Sequence, residues 1–466
     1  MNKCYLAVDI GASSGRHIIG YIEDGRLVLK EIYRFENSMD LKLGKRLWNV
    51  DRLFSEIKAG MAACKKAGFI PESMSIDTWA VDYVLLDEND NVTGDTYGYR
   101  DSRTSRMDEV VYETIEEPEL YKRTGIQKQI FNTIYQLVAD REKRPEILRQ
   151  AKTFLMLPDY FQFKLTGVKK SDYTNGSSTQ LVDPDTRQWD KDLIKLLRLP
   201  EDIFLPLEMP GTFLGELLPE ISEEVGFNTK VYMCASHDTA SAVMAMPRND
   251  GAIYISSGTW SLMGVELSDA LRSEASHEGN FTNEGGYDYR FRYLKNIMGL
   301  WMIQSVRHET KDAYSFAQLC EMAEEEKDFP SRVDVNDQSF FAPLNMGEAI
   351  REYCRKTDQQ VPETIGQLST VIYQSLAQSY AKTVKEIEDN TGKSFDTICI
   401  IGGGANADYL NSLTAKATKK TVTAGPTEAT AIGNILAQLI AEGEIKDLKS
   451  AREIVAASFE IKTFTD

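Results

Sequence analysis

Two stretches of the chain place a Ser-Ser-Gly turn directly after an apolar segment. They are residues 5–16 (YLAVDIGASSGR) and residues 252–260 (AIYISSGTW). A glycine-containing turn presents backbone N–H groups and hydroxyls to an anion without obstruction by side chains. Each turn alone is also what an ordinary hairpin uses, but its repetition past the midpoint favours phosphate binding. The pair predicts a duplicated nucleotide clamp, with the active site between the two halves of the chain.

A third segment with possible chemistry is residues 236–242 (SHDTASA), where a buried strand is expected to lead into an alanine-rich helix. Two roles for Asp238 remain open on the residues alone. It is either a general base that accepts a proton from a substrate hydroxyl, or an N-cap of the helix. His237 by itself is more typical of a structural hydrogen-bonding residue.

Two further segments suit the nucleoside and a sugar. Residues 398–404 (ICIIGGG) form an apolar strand that enters a glycine run ahead of an expected helix, which favours close approach of a ligand to the backbone. This is not a GxGxxG pattern, so a dinucleotide-binding turn is poorly supported, and a plain loop is the alternative. Residues 77–82 (DTWAVD) set a tryptophan among hydrogen-bonding groups, as in a sugar site or, equally, in a core.

Composition narrows the classes of partner. The chain has 466 residues, and its 71 acidic against 53 basic residues give a net charge of −18. This balance disfavours nucleic acid and anionic membranes as partners. Six scattered cysteines and four dispersed histidines show no zinc-type spacing. With no long apolar segment, and Asp9 interrupting the early apolar run, we expect a soluble cytoplasmic protein with free thiols.

The elements that must position these residues alternate between strand and helix. In the first half, strands are predicted over residues 17–21, 26–33 and 74–77, with a hairpin turn at Asp24-Gly25 and a helix over 50–66. This order is typical of an α/β fold with a mixed sheet.

In the second half, the pattern predicts a helix over 364–390, a strand over 397–401 and helices over 406–416 and 429–441. The domain boundary is placed near Met246, before the turn-rich residues 247–251. We therefore expect an N-terminal domain over 1–246 with the sugar site and the base, and a C-terminal nucleotide-binding domain over 247–466.

The residues 9–16 (DIGASSGR) resemble the first phosphate motif of the FGGY carbohydrate kinases, in the superfamily of actin, hexokinase and the heat-shock chaperones. Four further segments extend the resemblance over essentially the whole chain: 75–79 (SIDTW), 236–241 (SHDTAS), 256–264 (SSGTWSLMG) and 295–301 (KNIMGLW). The resemblance implies two ribonuclease-H-like domains of the actin/hexokinase type with a cleft between them. It also implies ATP- and Mg²⁺-dependent phosphorylation of a ketose at O1, with L-rhamnulose as the expected substrate.

The resemblance further implies roles for single residues. Asp238 is the implied catalytic base, and Asp9 would position Mg²⁺, directly or through water. The implied ATP contacts are Ala12, Ser13, Ser14, Gly15, Arg16, Thr259, Gln304 and Gly402. The implied sugar contacts are Ala80, His237, Asp238, Thr239 and Asn296. The family often has glycine where this chain has Ala80, and the added methyl would adjust the fit of the sugar.

Two other functions remain as alternatives. One is an FGGY kinase for L-fuculose, xylulose or a similar sugar, and the other is an ATP-switched binding protein of the actin type. The His237-Asp238-Thr239 segment beside aromatic residues suited to a sugar distinguishes them, because a nucleotide switch does not need it. The expected ligands are a small ketose and ATP, and the expected assembly is a monomer or a small homo-oligomer.

Overall fold

The computed structural model describes residues 3–248, 251–341 and 343–466. The chain folds into two compact units. Unit 1 comprises Met1–Ala245, Glu266–Tyr293 and Ala429–Ser458, and unit 2 comprises Met246–Val265, Leu294–Glu428 and Phe459–Asp466. The domain ranges 1–246 and 247–466 stay a prediction, and two segments of the second range belong to unit 1. The break expected over 247–251 includes residues 249 and 250, which lie outside the described residues.

Strands run through both units. In chain order they are β1 Tyr5–Ile10, β2 Ser14–Glu23, β3 Arg26–Glu36, β4 Asp40–Lys42, β5 Lys45–Leu47, β6 Ser73–Thr78, β7 Tyr83–Leu86, β8 Thr153–Met156, β9 Ser171–Asp172, β10 Val182–Asp183, β11 Gln188–Trp189, β12 Leu207–Glu208, β13 Phe213–Glu216, β14 Lys230–Tyr232, β15 Ala252–Ser257, β16 Trp260–Leu267, β17 Thr282–Gly285, β18 Phe291–Met298, β19 Thr397–Ile401, β20 Thr421–Ala424 and β21 Lys462–Phe464.

The α-helices lie between these strands and after them. They are α1 Val50–Lys66, α2 Met107–Tyr112, α3 Glu117–Thr124, α4 Thr133–Lys143, α5 Pro145–Gln150, α6 Leu157–Thr166, α7 Tyr173–Gly176, α8 Lys191–Leu196, α9 Pro219–Val225, α10 Asp238–Met244, α11 Glu274–Glu278, α12 Trp301–Glu309, α13 Phe316–Glu325, α14 Met346–Lys356, α15 Ile365–Thr391, α16 Asp408–Thr418, α17 Ala429–Ala441 and α18 Leu448–Ser458. In the described part of the chain, no helix has the length and apolarity needed to cross a membrane.

Unit 1 is built on a six-stranded sheet with the order β13-β14-β6-β1-β2-β3. Strand β1 lies at its centre, antiparallel to β2 and parallel to β6, and all six of its residues are buried. Its apolar residues form a core with the inner face of α1, as expected for a strand covered on both faces. The only charged residue of β1, Asp9, is opposite Arg16 on β2 and Asp77 on β6.

The local patterns in this unit predicted its first elements well. The Asp24-Gly25 turn has positive φ at both residues (49° and 75°), as the two-residue hairpin requires. Helix α1 has the predicted bounds because its apolar residues recur at helical spacing and the Asn49 side chain caps its first turn. The strands predicted over 17–21, 26–33 and 74–77 lie within β2, β3 and β6.

Unit 2 repeats this arrangement. Within the described residues, the second sheet has seven strands in the order β17-β18-β16-β15-β19-β20-β21, and β15 is antiparallel to β16 and parallel to β19. The strand–turn–strand repeat seen in the sequence is therefore also a repeat of strand pairing, and the predicted α/β class is confirmed. The helix expected over 406–416 was placed two residues early, because a 3₁₀ turn takes Gly403–Asn406 and α16 begins at Asp408.

Candidate active site

The first Ser-Ser-Gly turn joins β1 to β2 and is held by backbone hydrogen bonds. The Gly11 N–H donates to the Ser14 carbonyl at 2.8 Å. Asn37 holds the turn from outside, since its N–H donates to the Ser13 carbonyl at 2.9 Å and its Nδ2 donates to the Gly11 carbonyl at 2.8 Å. Ser13 is exposed, and Ala12, Ser14 and Arg16 are half-buried. The turn is thus fixed while its hydroxyls remain accessible, and Asn37 was not recognised from the sequence.

Gly15 is fixed by packing and not by a special backbone conformation. A Cβ atom at this position would lie 2.1 Å from Cζ of the Phe35 ring. Phe35 is buried in the unit 1 core. The absence of a side chain at Gly15 therefore allows the end of the turn to pack closely against the Phe35 ring of β3.

Two carboxylates lie side by side behind this turn. Asp9 Oδ2 accepts from Arg16 Nη2 at 2.6 Å, and Asp77 occupies the paired position on β6. Asp77 Oδ2 accepts from Asn434 Nδ2 at 2.6 Å, whereas its buried Oδ1 has no hydrogen-bond partner within the described residues. Burial raises the pKa of Asp77 well above its usual range, and the negative charges of Asp9 and Asp238 raise it further. Asp77 was not predicted as a site residue.

Helix α17 brings Asn434 to Asp77. The Gln438 Nε2 donates to Asn434 Oδ1 at 2.8 Å, so the Asn434 amide presents its NH₂ group to the carboxylate. Gly433 permits the close approach, because a Cβ there would lie 1.8 Å from the Ser241 carbonyl oxygen on α10. The helix over 429–441 was predicted with correct bounds and small residues on its early turns.

Asp238 is the first residue of α10, and the N-cap residue is His237. The interpretation of Asp238 as an N-cap is therefore wrong. Its side chain is 31% exposed, and Oδ1 accepts from the Thr239 N–H at 2.6 Å and from Thr239 Oγ1 at 3.1 Å. With Oδ1 engaged in this way, Oδ2 is the oxygen best placed to accept a proton from a ligand.

His237 connects Asp238 to a buried ion pair. Its Nε2 is 3.5 Å from Asp238 Oδ1, and its Nδ1 is 3.0 Å from Arg292 Nη2 and 3.3 Å from Glu284 Oε2. Arg292 and Glu284 are themselves 3.1 Å apart. Burial raises the pKa of Glu284, but Arg292 and His237 together outweigh burial and hold that pKa below its usual value. Neither residue was identified from the sequence.

Buried Asp172 holds the segment before His237. Its Oδ2 accepts from the Ser236 N–H at 3.2 Å and from Ser236 Oγ at 2.8 Å. The Thr78 N–H in turn donates to the Ser236 carbonyl at 2.9 Å, so the segment continues the edge of β6. The backbone that carries His237 and Asp238 is therefore fixed to the unit 1 sheet.

The loop of Ala80 is fixed by Asp82. Asp82 Oδ2 accepts from Trp48 Nε1 at 2.6 Å and from Trp79 Nε1 at 2.9 Å, and Oδ1 accepts from Gln136 Nε2 at 3.0 Å. Burial raises the pKa of this carboxyl to about 6, although the hydrogen bonds oppose the shift. Trp79 is 6% exposed and its ring lies 4.1 Å from that of Trp48, which agrees with the core alternative for this tryptophan.

In unit 2 the second turn lies against the glycine run. Thr259 is exposed at the tip, where the Gly258 N–H donates to the Trp260 carbonyl at 2.8 Å. A Cβ on Gly404 would lie 1.9 Å from Ser257 Oγ. Gly402 has φ +83° and ψ −167°, a conformation open essentially to glycine alone. The predicted ATP contacts Thr259 and Gly402 are therefore on adjoining turns.

Helix α12 begins at the same turn. The Leu300 N–H donates to the Gly258 carbonyl at 3.1 Å, and a Cβ on Gly299 would lie 2.5 Å from the carbonyl carbon of Trp260. Gln304, another predicted ATP contact, lies on this helix and is half-buried. Asn296, a predicted sugar contact, lies on β18, and its buried Oδ1 has no hydrogen-bond partner among the residues described.

The described residues contain no group of three or more His, Cys, Asp or Glu side chains that could by itself hold a metal ion. Mg²⁺ usually takes one or two protein carboxylates and completes its shell with water and phosphate oxygens. Asp9 and Asp77 are two adjacent carboxylates, and the unpartnered Asp77 Oδ1 is an oxygen of the type that Mg²⁺ prefers. This donor set fits Mg²⁺ bound together with a polyphosphate.

Two family models match the chain. The N-terminal-domain model of the FGGY family of carbohydrate kinases matches residues 4–245, and the C-terminal-domain model matches residues 253–442. Curated relatives match over nearly the full length. A rhamnulokinase of Halalkalibacterium halodurans is 51% identical, covering 98% of this chain and 98% of the relative. Rhamnulokinases of Oceanobacillus iheyensis and Bacillus subtilis are 47% and 44% identical, covering 100% and 99% of this chain and 98% and 95% of the relatives.

Solved structures of sugar and glycerol kinases share the fold. A gluconate kinase from Lactobacillus acidophilus aligns with a TM-score of 0.80 at 16% identity, covering 100% of this chain and 94% of that chain. A glycerol kinase from Plasmodium falciparum with ADP aligns with a TM-score of 0.77 at 14% identity, with the same coverage. At these identities the likeness concerns the fold alone, and it confirms the two-domain fold class predicted from the sequence.

Proposed function

Because the chain belongs to the FGGY family of carbohydrate kinases, and is therefore a sugar phosphotransferase, we propose that it transfers the γ-phosphoryl group of ATP to O1 of L-rhamnulose in L-rhamnose catabolism. The substrate is supported by relatives named rhamnulokinase that are 44–51% identical over nearly the whole chain. The observation that carries the chemistry is the half-exposed carboxylate of Asp238 beside the ring of His237.

Asp238 is the proposed general base. Its Oδ1 accepts two hydrogen bonds from Thr239, which fixes the plane of the carboxylate. Its Oδ2 takes the proton of the O1 hydroxyl as the bond from O1 to the γ-phosphorus forms and the bond from that phosphorus to the bridging oxygen of ADP, the leaving group, breaks. Positioning and charge stabilisation supply most of the catalysis in phosphoryl transfer. The rigid attachment of residues 236–238 to the sheet supports this role.

The polyphosphate of ATP would contact the two Ser-Ser-Gly turns. The proposed ATP contacts in the first turn are Ala12, Ser13, Ser14, Gly15 and Arg16, and those in unit 2 are Thr259, Gln304 and Gly402. Mg²⁺, when bound, would offset the charge of the phosphates. Asp9 would position it, with Asp77 beside Asp9, and this assignment rests on the paired carboxylates and the unpartnered Asp77 Oδ1.

The ketose would contact His237, Asp238 and Thr239 in unit 1, together with the backbone near Ala80, and Asn296 in unit 2. The Asn296 Oδ1 is suited to accept from a sugar hydroxyl, because it is buried and has no hydrogen-bond partner in the described part of the chain. A site that pairs several hydroxyls rejects analogues that lack them by up to about 10⁴–10⁵-fold. Discrimination against glycerol is therefore expected to exceed discrimination against another 6-deoxyketose.

The test combines a variant with a panel of substrates in a coupled ADP assay. Asp238→Asn should fold and still bind ketose and ATP, but lose about 10²–10⁴-fold in kcat, as removal of a general base typically does. Asp408→Asn is the matched control, because Asp408 is also the first residue of a helix, and it should keep its activity. Near-normal turnover by Asp238→Asn would remove Asp238 from the mechanism.

For the wild type, L-rhamnulose should give a higher kcat/KM than L-fuculose, xylulose or glycerol. A higher value for L-fuculose or xylulose would contradict the rhamnulose assignment and leave the sugar-kinase assignment intact.

A further inference from the structure

A buried ion pair lies behind the proposed sugar site and has no part in the mechanism above. Arg292 on β18 is 0% exposed, and Glu284 on β17 is also buried. Arg292 Nε donates to the Gly285 carbonyl at 3.0 Å, which fixes the plane of the guanidinium. Removing two charges from water carries a large desolvation penalty, and such a pair does not by itself imply stability. A role in orienting His237, its neighbour, accounts for its position.

The chemistry of arginine determines which hydrogen bond is formed. The guanidinium carries only donors and stays protonated, so Arg292 Nη2, at 3.0 Å from His237 Nδ1, can bond to that nitrogen only as the donor. Nδ1 must then offer a lone pair. Glu284 Oε2 is farther from Nδ1, at 3.3 Å, and is 3.1 Å from the same Nη2. Glu284 thus serves as the counter-ion of Arg292 and not as the acceptor of an Nδ1 proton.

We propose that Arg292 fixes the tautomer of His237, so that Nδ1 is unprotonated and Nε2 carries the hydrogen. The Nε2–H group lies on the side of the ring that faces Asp238, 3.5 Å from its Oδ1. His237 is then a donor to an oxygen lone pair of the ketose, while Asp238 beside it is an acceptor for the hydroxyl hydrogen of O1. Arg292 and Glu284 are positioning residues that act through His237. The inference rests on the proposed function only in that the ketose is taken to bind at His237 and Asp238.

The site then presents one hydrogen-bond donor, His237 Nε2–H, and one acceptor, the Asp238 carboxylate, to the ketose. With the other tautomer, the lone pair of Nε2 would face the Asp238 carboxylate, and neither group could donate to a ketose oxygen. The site would then contain two acceptors side by side. We therefore expect the tautomer to affect the binding of the sugar, and to leave the binding of ATP unchanged.

The tautomer is measured directly by long-range ¹H–¹⁵N correlation spectra of the ligand-free protein labelled with [¹⁵N]histidine. The chain has four histidines, and the signal of His237 is assigned by its loss in His237→Asn. We expect an unprotonated Nδ1 and a protonated Nε2 in the wild type. A protonated Nδ1 would overturn the proposal. Because no sugar or nucleotide is present, this result is independent of which substrate the enzyme uses.

Three variants test the cause. Arg292→Met removes the donor and leaves Glu284 as an acceptor, so the proton of His237 should move from Nε2 to Nδ1. KM for the ketose should then rise about 10-fold, which is the scale of one lost hydrogen bond at a buried group. Arg292→Lys keeps a donor-only cation, and Glu284→Gln leaves Arg292 in place, so both should keep the Nε2–H tautomer. In all three, KM for ATP should stay within about 2-fold of the wild type.

An Arg292→Met protein with an unchanged tautomer would refute the role of Arg292. Loss of the Nε2–H tautomer in Glu284→Gln would refute it as well, because it would make Glu284 the residue that sets the proton. If Arg292→Met fails to fold, the wild-type and Glu284→Gln spectra still decide between the two residues.

Discussion

A methyl group on Gly433 should separate two helices that carry the site. In the structure, a Cβ at this position would lie 1.8 Å from the Ser241 carbonyl oxygen and 2.5 Å from its carbonyl carbon. Real Cβ atoms essentially never approach another heavy atom more closely than 3.0 Å. The obstructing atoms are backbone, so no side chain can rotate away. In Gly433→Ala, α10 and α17 must therefore move apart by about 1.2 Å, the difference between these distances.

Each of the two helices contains a residue that the proposed mechanism uses. Asp238 is the first residue of α10, and Asn434, next to Gly433 on α17, donates to Asp77. Overpacking of this kind costs about 1–3 kcal/mol of stability. A displacement of about 1 Å at a catalytic group costs about 10²-fold in rate. We expect kcat to fall about 100-fold and the free energy of unfolding to fall by about 1–3 kcal/mol.

The assay is ketose-dependent ADP release together with urea unfolding. Gly94→Ala is the matched control, because its Cβ would meet mainly the end of the flexible Ile147 side chain, at 2.7 Å, on an exposed loop. This variant should stay within about 0.5 kcal/mol of the wild type, the usual range for surface substitutions, and keep its kcat. A Gly433→Ala protein with wild-type kcat and stability would show that the helices adjust without moving the carboxylate, and the reasoning would be wrong.

Two further predictions concern the glycine run and the loop of Ala80. Gly402→Val should weaken ATP binding, measured by calorimetry, far more than ketose binding, because a φ of +83° strains any residue with a side chain. Gly403→Ala is the control and should bind ATP normally, because no atom lies within 4 Å of the position of its Cβ. Equal ATP affinities for the two variants would show that the glycine run is a plain loop. Burial raises the pKa of Asp82 in the folded protein to about 6 from a usual 3.8, so protonation of this carboxyl favours the folded state. The resulting contribution of about 3 kcal/mol to the free energy of unfolding should be lost as the pH rises from about 4 to 6. Asp82→Asn should flatten this part of the curve of stability against pH, and an unchanged slope would contradict the shift.

Elements defined by local pattern were predictable from the sequence. Helices α1 and α17 have the predicted bounds because their apolar and small residues repeat at helical spacing, and β19 because a buried apolar run precedes three glycines. The start of α16 was misplaced because nothing local distinguishes a 3₁₀ turn at Gly403–Asn406 from the first turn of an α-helix.

Site residues that depend on contacts between distant segments were not predictable. Asp77 is a candidate only because the parallel pairing of β6 with β1 places it beside Asp9. The sequence of either strand alone does not predict this register. Arg292 and Glu284 reach His237 from a hairpin more than 40 positions later in the sequence. One available signal was Arg292, which lies among Phe291, Tyr293 and Leu294 in β18, because burying a charge is costly unless it is paired.

The buried carboxylates of unit 1 explain why so many charges surround one proposed base. Asp172 holds Ser236, Asp82 holds the loop of Ala80, and Glu284 balances the arginine that contacts His237. Each accepts hydrogen bonds or neutralises a charge, and none needs to exchange a proton during turnover. Phosphoryl transfer depends mainly on the placement of reacting groups, so carboxylates that fix backbone and ring orientation can contribute to rate without touching the substrate. Substitutions at Asp172 should accordingly lower kcat by disordering the 236–238 segment, in proportion to the loss of hydrogen-exchange protection at Thr78, whose N–H donates to the Ser236 carbonyl.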